Sequence, residues 1–468
     1  MDKPKKDEIL DLQIIDLSFE GLGIAKIEGD FVVFIDGAVP DDLIKASVKK
    51  VKKNYSEAKL IEILKSSEYR TRPRCEYFGT CNGCKMQNID YEYQLKIKRQ
   101  NVINAFERIG GFKNIFIPEI IKSEEIYYYR NKLEFSFSKN RWLTKEELSI
   151  NNIDKSFALG FHMPNFIDKI LDVKRCYLQS EISNKILNLT RDFFKSKDAT
   201  IYSSRTNSGY LRYLVIRQSK QSEGLMINLI TSSVDKFLLD GFSKLIRKEI
   251  PEVTTLVNTI STTKAQAALC DYYNIIFGKG FITEKVGEFT FKITPNSFFQ
   301  TNTQQTKKLF DTLINLSKFS KNENVLDLYC GSGAISIYIS NYVNKVTGVE
   351  YSKESILTAR ENAKCNNVTT CEFNDFDVKD YLLEMIKGGN FKFETVILDP
   401  PRSGIHPKAA EYLLKLEPKK IIYVSCNPTT QARDVKLLGE KYEIKEIQPV
   451  DMFPQTMHIE NIMRLDLK

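Results

Sequence analysis

The chain lacks what would seat it in a membrane or mark it for export. No apolar run approaches the roughly 18 residues needed to cross a bilayer, and the opening MDKPKKDEIL is charged, without the apolar core of a secretion signal. Histidine is scarce, three in 468 residues, which leaves little room for imidazole chemistry. There is no internal repeat and no low-complexity segment, which sets aside repeat arrays and disordered tails. The nine cysteines are an odd number in a chain with no leader. That argues against a disulfide framework and for metal or catalytic use in a reducing, cytoplasmic compartment. What is present is ordinary for a soluble protein: 42% hydrophobic and 27% charged residues, over a length that suits roughly two to four domains. A net charge of +8 and a pI of about 8.7 are compatible with a polyanionic partner.

Residues 9 to 63 read as short strands, with Gly21, Gly23, Gly29 and Gly37 between them. That pattern predicts a small β-barrel over residues 1–64. It carries no acid–base pair or ligand set, so it binds or positions rather than reacts. In a second region, residues 65–287, Arg70, Arg72, Arg74 and Lys85 surround three cysteines. The stretch YEYQLKIKRQNVINAFERIGG follows, with Leu95, Val102, Ile103 and Phe106 at near-helical spacing and Gly110-Gly111 as a stop. This helix, about 90–110, is expected to pack on the catalytic domain. Beyond it the region reads as mixed α+β, with strands such as LEFSFS and LRYLVIRQ. From 288 to 468, strand and helix patterns alternate, the rhythm of an α/β, mostly parallel, doubly wound sheet.

VLDLYCGSGAIS, residues 325–336, is a buried strand entering a glycine-rich turn and a helix. Glycine such as Gly331 lets backbone N–H groups approach a ligand closely. About twenty residues on, VTGVE ends in Glu350, suited to ribose hydroxyls. The turn lacks the G-x-G-x-x-G that a pyrophosphate wants, and Asp327 before it would repel phosphate. An acid is comfortable facing a cationic, amino-bearing ligand, which points to S-adenosylmethionine. Asp375 in CEFNDFD is a candidate for the adenine end, and VILDPPRSGI exposes Asp399 at a strand's carboxyl end. Base-amino methyltransferases follow a similar motif with an aromatic; here the follower is Arg402.

IIYVSCNPTTQ, residues 421–431, brings Cys426 to a strand tip ended by Pro428. Uracil C5 is a poor nucleophile until a thiolate adds at C6, and a base must then remove the C5 proton. Cys426 suits the first task and Glu460, in FPQTMHIEN, the second, with His458 as its rival. Two other readings stay open: a base-amino or cytosine methyltransferase, and an RNA-binding protein with an inert catalytic domain. Cys75, Cys81 and Cys84 form C-x5-C-x2-C in a loop, and KRCYLQ offers Cys176 as a fourth ligand. Four thiolates suit zinc or an iron–sulfur cluster equally by spacing. Cys270, Cys365 and Cys371 read as core or surface thiols, and Cys330 as packed. In residues 202–220, Arg205, Arg212, Arg217 and Lys220 interleave with Tyr202, Tyr210 and Tyr213 and no acid, a pattern for phosphate contact and base stacking. YYYRNKLEF, residues 127–135, is similar.

Together, C-x5-C-x2-C, FFQTN, LDLYCGSG, LDPPRSG, SCNP and FPQTMHIE resemble the RumA/TrmA family of RNA uracil-5-methyltransferases, over nearly the whole chain. The resemblance implies a Rossmann-like methyltransferase sheet behind an OB-like TRAM barrel and a mixed central domain. It implies Cys426 as nucleophile and Glu460 as base, with Gln300, Tyr329, Glu350 and Asp399 touching S-adenosylmethionine or the uracil. It implies a [4Fe–4S] cluster on the four cysteines. Ala334 departs from relatives that carry a cofactor-bonding side chain there. Barrel and cysteine set together lean toward 23S ribosomal RNA, with the transfer-RNA T-loop as alternative, acted on by a monomer.

Overall fold

The computed structural model describes residues 3–166, 168–263, 272–389 and 391–468; Cys270 lies outside them. The first six strands are Ile9–Gln13, Asp16–Leu17, Gly23–Ile27, Phe31–Asp36, Leu43–Val51 and Tyr55–Lys65. Ile9–Gln13 pairs with Leu43–Val51, and Asp16–Leu17 pairs with Gly23–Ile27. One extended stretch therefore bridges both edges and closes the sheet into a barrel, which leaves few free strand edges. Period-two alternation sends Leu12, Ile14, Val33, Ile35, Ile44 and Ala46 inward. The barrel is tied to the following region through buried Asp42, which accepts from Arg70 and from the backbone N–H of Val39 (2.8 Å) and Ser67 (2.9 Å).

A sheet of eight strands among the described residues forms the middle of the molecule. Its strand Leu211–Gln218 lies between Lys132–Ser138 and Leu225–Thr231. Buried on both faces, this strand corrects the reading of its arginines as an RNA-contact row. Arg212 donates to the carbonyls of Ser261 (2.6 Å) and Thr263 (2.8 Å), and Arg217 to that of Ser297 (2.6 Å). Tyr210 and Tyr213 are buried with them, and Lys220 donates to the Tyr128 carbonyl at 2.6 Å. Arg205 alone of the four basic residues has a largely exposed side chain, ion-paired to Asp168 at 2.9 Å.

The last sheet has seven strands among the described residues: β1 Asn324–Leu328, β2 Lys345–Glu350, β3 Cys371–Asp375, β4 Thr395–Leu398, β5 Lys420–Ser425, β6 Tyr442–Val450 and β7 Glu460–Leu467. Their order is β3-β2-β1-β4-β5-β7-β6; the first five run parallel and β7 is antiparallel to both neighbours. Order reverses beside β1, so ligand space opens at the carboxyl ends of β1 and β4. Leu309, Phe310 and Leu313 of helix Thr303–Ser317 pack in the core on one side. In the second core, Leu95, Val102 and Phe106 pack with Leu326, Leu398, Tyr423 and Ala432. The early helix Tyr91–Ala105, continued by a wider turn to Gly110, thus lies on the catalytic sheet. Gly111, at φ +77°, ends it in the left-handed region open to glycine. Among the described residues no helix is long and apolar enough to cross a membrane.

Candidate active site

Strand β1 delivers Asp327 into the interior, where Oδ2 accepts the Ser336 hydroxyl at 2.5 Å and Oδ1 has no partner. Burial, with Glu350 adding to it, pushes this carboxyl up to about 7. The chain then turns through Tyr329 at φ +65° and Gly331 at φ +54°. A left-handed tyrosine is costly, and such strain collects at ligand sites. A Cβ on Gly331 would meet nothing within 4 Å, so its backbone borders open space. The N–H groups of Tyr329 and Cys330 both donate to the Val349 carbonyl (2.9 and 3.2 Å), which ties the turn to β2. Glu350 ends β2, accepts the Ser352 N–H at 2.9 Å, and lies in register with Asp375 at the end of β3. Gln300 lies two residues beyond Phe298, whose carbonyl accepts from Ser332 Oγ at 3.4 Å, and its own carbonyl accepts from Asn131 at 2.9 Å. An orphaned buried carboxylate oxygen, an open glycine and an acidic strand edge fit a ligand bearing amino and sulfonium charge.

The other half of the site is built by β4, β5 and β7. Asp399 follows β4 and is fixed by Pro400-Pro401. Cys426 follows β5, and the next helix starts at once at Pro428, capped by Asn427, whose Oδ1 accepts the Thr429 N–H at 3.1 Å. Ser425 pairs with Asn461 across to β7, and one further step of that register sets Cys426 beside Glu460. Burial first, then Glu460 and Asp399, push the Cys426 thiol up to about 11, with Arg402 opposing them by charge and hydrogen bond. Glu460, 4% exposed, is held well above the carboxylate range by burial and by Asp399. Asp399 rises to about 7 by burial and then by Asp327. His458, though exposed by surface area, falls to about 4, from desolvation by the atoms around its ring first and then from Arg402, Lys98 and Arg130, so its ring is neutral near pH 7. Its Nε2 lies 3.4 Å from Arg402 Nη2. Arg402 is the cation acting on both Cys426 and Glu460. Sequence reading noted it only as a departure from an aromatic, and that departure was the available signal.

Cys75, Cys81, Cys84 and Cys176 line one cavity of about 150 Å³. Each thiol is pushed up, to about 11 or 12, by burial first, with one or more of the other cysteines adding to it and, at Cys75, Glu76 ahead of them. Among the described residues, no three histidine, cysteine or acidic side chains converge closely enough to hold a single metal ion. Cys330 is buried, Cys371 half-buried and Cys365 exposed.

The tRNA (uracil-5-)-methyltransferase family matches residues 257–467, and the TRAM domain matches residues 5–61. An uncharacterized RNA methyltransferase of Chlorobaculum tepidum is 38% identical over 464 residues, 98% of this chain and 96% of its own. Another, from Bacteroides thetaiotaomicron, is 37% identical over 457 residues, 97% and 100% of the two chains. Among solved structures, the Pyrococcus abyssi tRNA (uracil-54, C5)-methyltransferase in complex with S-adenosyl-L-homocysteine superposes with a TM-score of 0.74 at 29% identity. The match covers 97% of this chain and 100% of that one. Likeness of this extent runs through barrel, cysteine-bearing middle and catalytic sheet alike, and the chain belongs to the S-adenosylmethionine-dependent RNA (uracil-5-)-methyltransferase family.

Proposed function

We propose that the protein makes 5-methyluridine in RNA with Cys426 as nucleophile and Glu460 as base. The supporting observation is the register that sets a thiol and a buried carboxyl side by side at the tips of β5 and β7. S-adenosylmethionine, when bound, supplies an electrophilic methyl group. Asp327, Glu350 and Asp375, with Gly331, Tyr329 and Gln300, would hold it across the carboxyl ends of β1 to β3. Cys426 adds as thiolate to uracil C6, assisted by the Arg402 charge, and the electron pair of the C5–C6 double bond makes C5 nucleophilic. Asp399 borders the same space and, being mostly protonated below about pH 7, can donate to a uracil carbonyl and accept from its N3–H. After methylation, Glu460 takes the C5 proton; the C5–C6 double bond re-forms and the C6–S bond breaks, its electron pair returning to sulfur. A carboxyl with a raised pKa is suited to keeping that proton.

The four cysteines are assigned to a [4Fe–4S] cluster. Four thiols lining one cavity are a ligand set that such a cluster takes. Such a cluster, when bound, holds the thiolates deprotonated and braces the loop. Loss of visible absorbance from anaerobically purified protein in Cys81→Ser is the expected result.

The target is a uridine that can leave its stack, in a loop or single strand. 23S ribosomal RNA is the first target class, from the pairing of barrel and cysteine set. The transfer-RNA T-loop is the second, favoured by the alignment of the Pyrococcus abyssi tRNA enzyme over the same full architecture. Mass mapping of 5-methyluridine in both RNAs from a deletion strain decides: loss from 23S RNA alone supports the first, and loss from transfer RNA alone the second. For the chemistry, RNA containing 5-fluorouridine should form a covalent band with the protein that Cys426→Ala loses; an unchanged band sinks the nucleophile assignment.

A further inference from the structure

Residues 451–459 lead directly into Glu460. Met452 and Ile459 pack in the two cores of the catalytic sheet, and Asn302 and Gln305 donate to the carbonyls of Met452 (3.1 Å) and Asp451 (2.9 Å). The buried charge and the side-chain bonds at Asp451 and Gln455 come instead from the early helix Tyr91–Ala105 and its surroundings. Lys98 and Asp451 are both fully buried, with Nζ donating to Asp451 Oδ1 at 2.7 Å and to the Phe453 carbonyl at 3.0 Å. The Tyr91 hydroxyl donates to Asp451 Oδ2 at 2.9 Å. Two residues past Phe453, Gln94 and Gln455 exchange bonds: Gln94 Nε2 donates to Gln455 Oε1 and the Gln455 N–H donates to Gln94 Oε1, both at 3.1 Å. Gln455 sits at φ +69°, a conformation costly for glutamine that persists only where its surroundings enforce it. The N–H groups of Lys85 and Met86 complete the enforcement, donating to the Gln455 carbonyl at 3.0 and 3.1 Å.

We propose that Lys98 is a positioning residue for the proton-removal step: through Asp451 and the Phe453 carbonyl it fixes the segment that aims Glu460 at uracil C5. The proposal rests on Glu460 being the base. Lys98 touches no reacting atom. Addition of Cys426 and attack by C5 depend on the tips of β4 and β5, which the anchored segment touches through His458 and Arg402 (3.4 Å), whereas Glu460 directly continues that segment, so the anchors bear first on elimination. In that step Glu460 gains the C5 proton, the C5–C6 double bond re-forms, and Cys426 leaves with the bonding pair. A small displacement of a base is expensive: about 1 Å of misplacement costs on the order of 10²-fold in rate.

The test uses the full-length enzyme in the double variant Lys98→Met/Asp451→Asn, which removes both buried charges together and leaves neither uncompensated. Two RNAs separate the steps. A 5-fluorouridine RNA cannot lose fluorine to a base, so its covalent band reports addition and methyl transfer only. Ordinary uridine RNA reports release as well. The expected result is a fluorouridine band at the wild-type rate, with a release rate on uridine RNA lower by roughly 10²-fold and methylated RNA accumulating on the protein. A merely structural role would lower both rates in parallel, and that outcome, or unchanged release, overturns the proposal. Tyr91→Phe, which removes one hydroxyl from the same network, gives the same split at smaller size if the double variant does not fold; parallel loss there also overturns it. Glu460→Gln is the reference. Release at the wild-type rate in that variant sinks the base assignment, and the proposal with it.

Discussion

Two buried groups of charge meet at the segment 451–460, and they are built on opposite principles. Lys98 and Asp451 are a closed set, in which the ammonium has its carboxylate and the carboxylate also holds the Tyr91 hydroxyl. Asp327, Asp399 and Glu460 are an open set, in which carboxyls crowd one another with Arg402 as the cation that offsets Glu460, and Asp327 keeps an unpartnered oxygen. A closed set is costly to desolvate, since burial lowers the Lys98 pKa and Asp451 only offsets it, but it is costlier still to break. An open set is destabilising until something from outside completes it, so acids without partners mark where ligands go.

Breaking the open set at its reactive end has the largest expected effect. Glu460→Gln should slow release of methylated RNA by roughly 10²–10⁴-fold, read as a persistent covalent species on gels. Next is the closed set: Lys98→Met alone leaves the Asp451 charge buried and should cost about 3–5 kcal/mol of stability in urea melts, most of it restored by adding Asp451→Asn. The open set responds with the opposite sign. Asp327→Asn should stabilise the ligand-free protein by up to about 4 kcal/mol at pH 8 while abolishing S-adenosylmethionine binding by calorimetry. Because the folded carboxyl is raised to about 7, its penalty is complete above pH 7. The gain from Asn therefore fades as pH falls through 7 and vanishes below about 4, the unfolded value. A thiol raised to about 11 makes fluorouridine adduct formation climb with pH between 7 and 9, about tenfold per unit, in quench-flow. Arg205→Ala should have the smallest effect, changing stability by less than about 0.5 kcal/mol and lowering the salt slope of RNA binding by about one.

The same contrast explains what could be read without coordinates. LDLYCGSG, LDPPRSG and SCNP declare their chemistry locally, because a strand tip followed by glycine or proline fixes where the next side chain stands. The barrel is legible for a similar reason, since alternation and glycine spacing act over a few residues. The basic stretch 202–220 is not. Its composition gives charge, whereas exposure of Arg212 and Arg217 depends on strands at 132–138 and 225–231 flanking them. LKIKRQ is as opaque: Lys96 is exposed and Lys98 buried two residues on, a difference of helix face whose partner, Asp451, is distant in sequence.

By itself, then, the sequence determined the order of elements, the glycine turn, and which cysteine and which acids stand at strand tips. Those are matters of local backbone geometry and hydrophobic period. Only the tertiary structure decided which charges are paired, that four cysteines share one cavity, and that Arg402 faces Cys426. Charge pairing and desolvation depend on distance through space, and antiparallel β7 brings Glu460 back beside a cysteine 34 positions earlier in the chain.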